Sequence, residues 1–198
     1  MRDGAYIISA DGGYSALKSK GISPDLIIGD FDSLNYVPDC DIKRFPIKKD
    51  DTDTLLAIKE AISQGFDLVY IFGGMGGQLD HTIANLQSLI FARKNGVNAV
   101  LCGYGQCAVV IDPSTKLSFK AKQCGRLSVF AVGSDSEGVS IEGAEYSAEG
   151  INLSPSFPLG VSNSFCGNSV NISVQKGALL IIWQGEAEDA CFCCQNGL

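Results

Sequence analysis

Four short blocks early in the chain carry residue types able to do chemistry: Asp11-Gly12-Gly13, then Gly29-Asp30-Phe31-Asp32-Ser33, then Lys49-Asp50-Asp51-Thr52-Asp53, then Gly73-Gly74-Met75-Gly76-Gly77-Gln78-Leu79-Asp80-His81. Clustered carboxylates repel one another, so a fold that gathers them commonly holds a cation among them. Glycine-rich turns let backbone amides approach an anion closely. Carboxylates for a hard metal beside glycines for phosphate point to a metal–nucleotide site. Asp30 and Asp32 lie two apart around Phe31; in an extended segment both carboxylates face one way and the ring turns into the core. Such a pair suits Mg2+, which takes one or two carboxylates together with waters and phosphate oxygens. Aspartate is also an ordinary cap and turn residue. That explains any one of these acids, but less readily the spacing of Asp30, Asp32, Asp50 and Asp53.

Several other chemistries find no support. No Gly-Lys-Ser/Thr follows a glycine loop, so a Walker A motif is absent. Gly103-Tyr104-Gly105-Gln106-Cys107-Ala108 matches a dinucleotide fingerprint in form, yet it sits between two strand-like runs and reads as a hairpin turn. His81 is the sole histidine, and no Gly-x-Ser-x-Gly elbow accompanies it. It reads either as a helix-start residue bonded to neighbouring backbone or as a group that positions substrate or phosphate.

The elements that must place these groups are legible from periodicity. Residues 5–9 and Leu26-Ile27-Ile28 read as buried strands, Ile42–Phe45 as a third, with a helix over about Tyr14–Lys20 between the first two. Asp30 and Asp32 then fall just beyond a strand's C-terminal end, where open α/β sheets bind ligands. A helix over Thr52–Gln64 has Leu55, Ile58 and Ile62 on one face and Gly65 at its end, which puts Asp50, Asp51 and Asp53 at its N-terminus. Leu68–Phe72 is a strong strand, and Gly73–Gly77 turns the chain into a helix over Leu79–Lys94 with Ile83, Leu86, Leu89 and Ile90 facing the core. Strand, glycine loop and helix form a phosphate-binding arrangement. Asn98–Cys102 and Cys107–Ile111 follow as strands. From about Lys116 only short β-rich runs and turn signals remain, which reads as an all-β sandwich or half-barrel. The reading is therefore an α/β nucleotide-binding domain with a Rossmann-like parallel sheet over residues 1–115, followed by a β-sandwich over 116–198, with the boundary near 113–118.

Composition narrows the class. The chain has 198 residues, 45% hydrophobic and 19% charged, enough for a substantial core. A net charge of −7 disfavours nonspecific nucleic-acid binding, which needs a basic surface. There is no apolar run of transmembrane length and no signal-peptide pattern after Met1, so the expected location is the cytoplasm, with no membrane partner. Free thiols are then the expected state of the eight cysteines. Cys102 and Cys107 flank a Gly-Tyr-Gly-Gln turn, either facing each other across a hairpin or simply buried. Cys191-Phe192-Cys193-Cys194, with no histidine near it, fits a zinc site poorly and reads as a mobile tail.

Taken together, the four blocks resemble, in order and spacing, the motifs of the thiamine pyrophosphokinase (thiamine diphosphokinase) family. The run Thr82-Ile83-Ala84-Asn85-Leu86-Gln87 and a fifth block, Gly160-Val161-Ser162-Asn163, are similar as well, so the resemblance spans nearly the whole chain. It implies a homodimer with active sites between subunits, and transfer of a diphosphoryl group from ATP to the hydroxyl of thiamine. It implies Asp30, Asp32 and Asp53 as the Mg2+–triphosphate set, supported by Asp11 and Asp50, one of these carboxylates accepting the hydroxyl proton. Gly12, Gly73, Gly74, Gly76 and Gly77, with Gln78 and Lys49, would meet ATP; Asp80, His81, Ser162 and Asn163 would meet substrate, and Phe165 reads either as a ring stacking on it or as a core aromatic. The family usually has arginine at Gln78, so charge work there would pass to Lys48 or Lys49. It also usually carries about one more strand ahead of Asp11, so a shortened N-terminus is expected. Two alternatives stay open: a nucleotide- or thiamine-binding protein with little turnover, and a pyrophosphokinase for another heterocyclic alcohol such as a pterin.

Overall fold

The computed structural model describes residues 4–10, 12–29, 41–44 and 51–194. The chain has a sheet-rich architecture of two compact units, Met1–Gly65 and Phe66–Leu198. The boundary expected near 113–118 falls inside the second unit.

In the first unit, strands β1 (Ile8–Ala10), β2 (Leu26–Gly29) and β3 (Asp41–Arg44) form a parallel sheet in that order, with Ile8 opposite Leu26 and Leu26 opposite Asp41. All four residues of β2 are buried, as a central parallel strand requires. The Asp25 carboxylate accepts the Ile7 amide at 2.7 Å, fixing the entry to β2 against β1. Helix α1 spans Gly13–Ser19 and α2 spans Asp53–Ser63. Thr52 caps α2: its backbone is extended and its Oγ1 accepts the Leu55 amide at 3.2 Å. The helix buries Leu56, Ile58 and Ala61 rather than the expected face of Leu55, Ile58 and Ile62, because Leu56 packs with Leu26 and Ile28 of β2.

The second unit begins with β4 (Leu68–Phe72), α3 (Leu79–Lys94) and β5 (Asn98–Gly103), with β4 and β5 parallel and α3 as their crossover. Strand β6 (Gln106–Ile111) returns antiparallel to β5 through a tight turn at Tyr104-Gly105, the hairpin read from the sequence. The remaining strands are β7 (Thr115–Phe119), β8 (Arg126–Ala131), β9 (Ser136–Glu142), β10 (Ala148–Leu153), β11 (Asn163–Ser164), β12 (Val170–Ser173), β13 (Leu179–Gln184) and β14 (Ala190–Cys194). They complete a six-stranded sheet ordered β11-β8-β13-β6-β5-β4 and a five-stranded sheet ordered β10-β9-β12-β7-β14. Parallel pairing thus occurs in β1–β3 and in β4–β5, but not as one N-terminal sheet over residues 1–115. β5 pairs antiparallel with β6, which carries the sheet into β13 and β8.

The two larger sheets share one core. Val109 and Ile111 of β6, Leu117 and Phe119 of β7, Leu127 of β8, Ile172 of β12 and Ile181 and Trp183 of β13 are buried together. Burying each such side chain contributes about 1.5–3 kcal/mol. Strand β7 alternates buried and half-buried residues, as a strand with one face on a core must. The run 191–194, expected as a mobile tail, instead lies in β14, antiparallel to β7 with Cys191 opposite Ser118.

Helix α3 departs from its expected face. Its buried residues are Asn85, Ser88, Leu89 and Ala92, while Ile83 is exposed. The polar pair tolerates burial because each is bonded: Asn85 Nδ2 donates to the Gly74 carbonyl at 2.8 Å, and Ser88 Oγ to that of Ala84 at 2.9 Å.

Candidate active site

The glycine segment leaves β4 at Phe72 and enters α3 at Gln78, the helix N-cap. Two of its glycines are required by their surroundings. A Cβ on Gly74 would stand 2.7 Å from Leu101 Cδ1 and 3.0 Å from Asn85 Nδ2. Gly76 has φ +83° and lies directly against the Tyr104 ring, so a side chain there meets both a strained backbone and an aromatic. Gly73 also has positive φ, 79°, while Gly77 faces open space. Asn85 therefore holds the loop from the helix side and Tyr104 bounds it from the β5–β6 turn. Sequence reasoning assigned neither residue a role at the site; the signals available were a polar residue within a helix face and an aromatic between two glycines.

At the start of α3 the Gln78 carbonyl accepts both the Thr82 amide at 3.1 Å and its Oγ1 at 3.3 Å, and the Gln78 side chain makes no cap bond. Asp80 Oδ1 accepts the His81 amide at 2.9 Å, so this carboxylate lies on the helix's own N-terminus. Gln78, Asp80 and His81 are all exposed. Amides of a 16-residue helix and of the preceding turn favour an anion at this end.

In the first unit, Gly12 is the N-cap of α1 and Asp53 opens α2, half-buried. Asp51 is committed to Lys59 Nζ at 2.6 Å. Asp11, Asp30, Asp32, Lys49 and Asp50, all expected at the site, lie outside the described residues, as does Lys48. Among the described residues no three histidine, cysteine or acidic side chains gather into a metal-binding group. Ser9, the central residue of β1, was not singled out from sequence. Its Oγ is buried without a hydrogen-bond partner among the described residues, and stands 3.5 Å from where a Gly13 Cβ would be.

The expected substrate contacts of the β region separate on inspection. Ser162 is exposed at φ +63°, with its amide donating to Ser128 Oγ at 3.1 Å. Asn163 is buried and fully engaged with backbone: Nδ2 donates to the Tyr146 carbonyl at 2.8 Å, and Oδ1 accepts the amides of Tyr146 at 3.0 Å and Ser164 at 2.8 Å. Phe165 is only 3% exposed. Its ring packs edge-on to Phe119 at 5.2 Å with Lys122 Nζ over it at 5.4 Å, so it is a core aromatic and offers no face to a ligand. Tyr146 is an aromatic presented to solvent here, 70% exposed, with its backbone held at both groups by Asn163. Gly160 lies so close to the backbone of Val129 that no side chain fits.

The chain resembles known proteins along both units. Residues 1–101 match the family model described as thiamin pyrophosphokinase, catalytic domain, and residues 114–179 match the thiamin pyrophosphokinase vitamin B1 binding domain. A thiamine pyrophosphokinase of Bacillus subtilis is 26% identical over 182 residues, 88% of this chain and 85% of that protein. The crystal structure of thiamine pyrophosphokinase from Bacillus subtilis superposes with a TM-score of 0.84 at 24% identity, over 94% of this chain and 90% of that one. Thiamin pyrophosphokinase from Candida albicans gives a TM-score of 0.74 at 14% identity, over 90% and 82%.

Proposed function

The chain belongs to the thiamin pyrophosphokinase family, and we propose that it transfers the diphosphoryl group of ATP to the hydroxyl of thiamine, giving thiamine diphosphate and AMP. The observation that carries this reading is the glycine loop between β4 and α3, held by Asn85 and bounded by Tyr104. It offers backbone amides and a helix N-terminus to a polyphosphate. The thiamine hydroxyl attacks the β-phosphorus, the bond from that phosphorus to the α–β bridging oxygen breaks, and AMP departs. The substrate supplies the nucleophile, so the protein has to position phosphates, accept one proton and offset developing charge.

The donor set expected for Mg2+ is wholly carboxylate oxygen, which fits a hard dication. Asp53 is its described member, placed at the α2 N-terminus. Asp30 and Asp32 would complete the set, and Asp11 and Asp50 would support it. Bound there, Mg2+ would supply charge neutralisation at the phosphates. One of the carboxylates takes the hydroxyl proton. Gly12, Gly73, Gly74, Gly76, Gly77 and Gln78, with Lys49, meet ATP; Asp80 and His81 orient substrate. Ser162 meets thiamine, Asn163 acts by holding Tyr146, and the exposed Tyr146 ring replaces Phe165 as the aromatic face for the heterocycle. The working protein is a homodimer with active sites between subunits, and it acts in the cytoplasm. No helix among the described residues is long and apolar enough to cross a membrane. Gln78, where the resemblance implies arginine, favours as second reading a homologue that binds nucleotide and thiamine with little turnover.

The test is mass-spectrometric detection of products after incubation with Mg2+-ATP and thiamine. Equal amounts of thiamine diphosphate and AMP, lost on adding EDTA, are expected. ADP with thiamine monophosphate would mean attack at the γ-phosphorus and overturn the mechanism. Absence of product from folded protein that still binds ATP would leave the second reading.

A further inference from the structure

Cys102 and Cys107 face one another where β5 and β6 leave their turn, and nothing in the proposed reaction uses them. The turn holds two residues, Tyr104 and Gly105, with φ +54° and +67°. Gly103 and Gln106 flank it, so they form the hydrogen-bonded pair that closes the hairpin, and Cys102–Cys107 is the next, non-hydrogen-bonded pair. Residues so placed have Cα atoms about 4.5 Å apart, within the span a disulfide bridges. The side chains are already together, with the Cys107 thiol donating to Cys102 Sγ at 3.4 Å.

We propose that Cys102 and Cys107 form an oxidisable cross-strand dithiol, which a hydroperoxide converts to a disulfide across the β5–β6 hairpin.

The two thiols differ in a way that orders the steps. Cys102 keeps 7% of its surface exposed and Cys107 only 1%, so oxidant reaches Cys102 first. The hydrogen bond from Cys107 holds the Cys102 thiol below its ordinary pKa, against burial and the charges of Glu188 and Glu186. The same bond, with burial, pushes the Cys107 thiol far up. Cys102 is therefore the nucleophile. Its thiolate attacks the peroxide, forming an S–O bond and breaking the O–O bond. With hydrogen peroxide, this leaves a sulfenic acid and hydroxide, which one proton converts to water. The Cys107 sulfur then attacks the Cys102 sulfur, expelling a second water and forming the S–S bond. In sum, two thiols lose two electrons and two protons, and one peroxide becomes two waters. The five other cysteines of the described residues (Cys124, Cys166, Cys191, Cys193 and Cys194) are exposed and free, so they serve as internal references.

The test uses the full folded chain treated with hydrogen peroxide, quenched with N-ethylmaleimide in denaturant and digested with trypsin. The peptide Asn95–Lys116 carries both cysteines and no other. The expected product is this peptide lighter by two hydrogens, without maleimide, and restored to a doubly alkylated form by prior dithiothreitol. In Cys107→Ser the expected product is a Cys102 sulfenic acid trapped by dimedone. A doubly alkylated peptide under conditions that oxidise the five exposed cysteines would overturn the proposal, as would a disulfide from either cysteine to a third. The wild-type result decides even if the variant fails to fold. It also stands apart from the proposed phosphoryl chemistry, because no turnover is read.

Discussion

Single side chains decide what the candidate site can do. Asp53 opens α2, and Asp51, two residues earlier, is already bound to Lys59. Asp53→Asn is expected to lower kcat on the order of a hundredfold or more by removing a carboxylate that would hold Mg2+ at the phosphates. Its circular dichroism and melting temperature should stay close to wild type; retained activity would remove Asp53 from the metal set. Gln78 tests the opposite direction. Placing a fixed cation at the α3 N-cap through Gln78→Arg is expected to raise kcat about tenfold, ~1.4 kcal/mol of barrier. KM for ATP should change little, and an unchanged kcat would show that the missing guanidinium is not what limits the enzyme. Asn85 joins structure to site, since its amide satisfies the buried side of the loop at Gly74. Asn85→Ala leaves that carbonyl unpaired, and the expected loss is about 1–3 kcal/mol in urea denaturation, with a raised KM for ATP.

At the scale of elements, the glycine loop and the β5–β6 hairpin behave as one device. Gly76 is held at positive φ against the Tyr104 ring, and Gly103 lies 3.2 Å from Met75 Cβ when a Cβ is placed on it. Tyr104 is itself at φ +54° and 79% exposed, a bulky residue in a region of backbone space that favours glycine. Gly76→Ala is expected to destabilise by about 1–3 kcal/mol, through the backbone and the ring together. In combination with Tyr104→Ala the penalty should be less than additive, because the smaller side chain removes the clash; a double-mutant cycle by denaturation measures it. Additive losses would show that the ring does not bear on the loop. The loop and the hairpin were legible in the sequence, since each follows from local rules about glycine and turn length, whereas Thr52, read as the first helical residue, is the cap before it. The inward faces of the helices were not. Periodicity assumes that burial follows hydrophobicity, and α3 buries Asn85 and Ser88 because hydrogen bonds pay for their desolvation. The same rule hid the structural role of Asn163 and made Phe165, an aromatic next to a motif, look like a ligand contact.

For the whole molecule, sequence gave the order of the elements but not their partners. Strands before and after residue 115 share one sheet, because β6 pairs with β13 along its length, from Gln106–Gln184 to Ile111–Leu179. Such long-range pairing leaves no local trace in the sequence. Arg93 fastens this junction: its Nη1 donates to Asn98 Oδ1 at 2.6 Å and Thr115 Oγ1 at 3.0 Å, and its Nε stands 3.3 Å from Asp112 Oδ2. Arg93→Ala is expected to cost about 3 kcal/mol, measured as a lower urea midpoint, because it strands a carboxylate and two polar groups at the end of α3. A loss below about 0.5 kcal/mol would place the fastening elsewhere.

The single tryptophan of the chain, Trp183, is buried on β13 with its indole N–H bonded to the Glu186 carbonyl at 3.0 Å. All intrinsic tryptophan emission therefore originates in the second compact unit, and the first is optically silent in that channel. A fluorescence melt would report a clean transition while missing the loss of α1 and α2 altogether. Only a comparison with far-ultraviolet ellipticity, which sees every helix, would reveal whether the two units unfold at different temperatures.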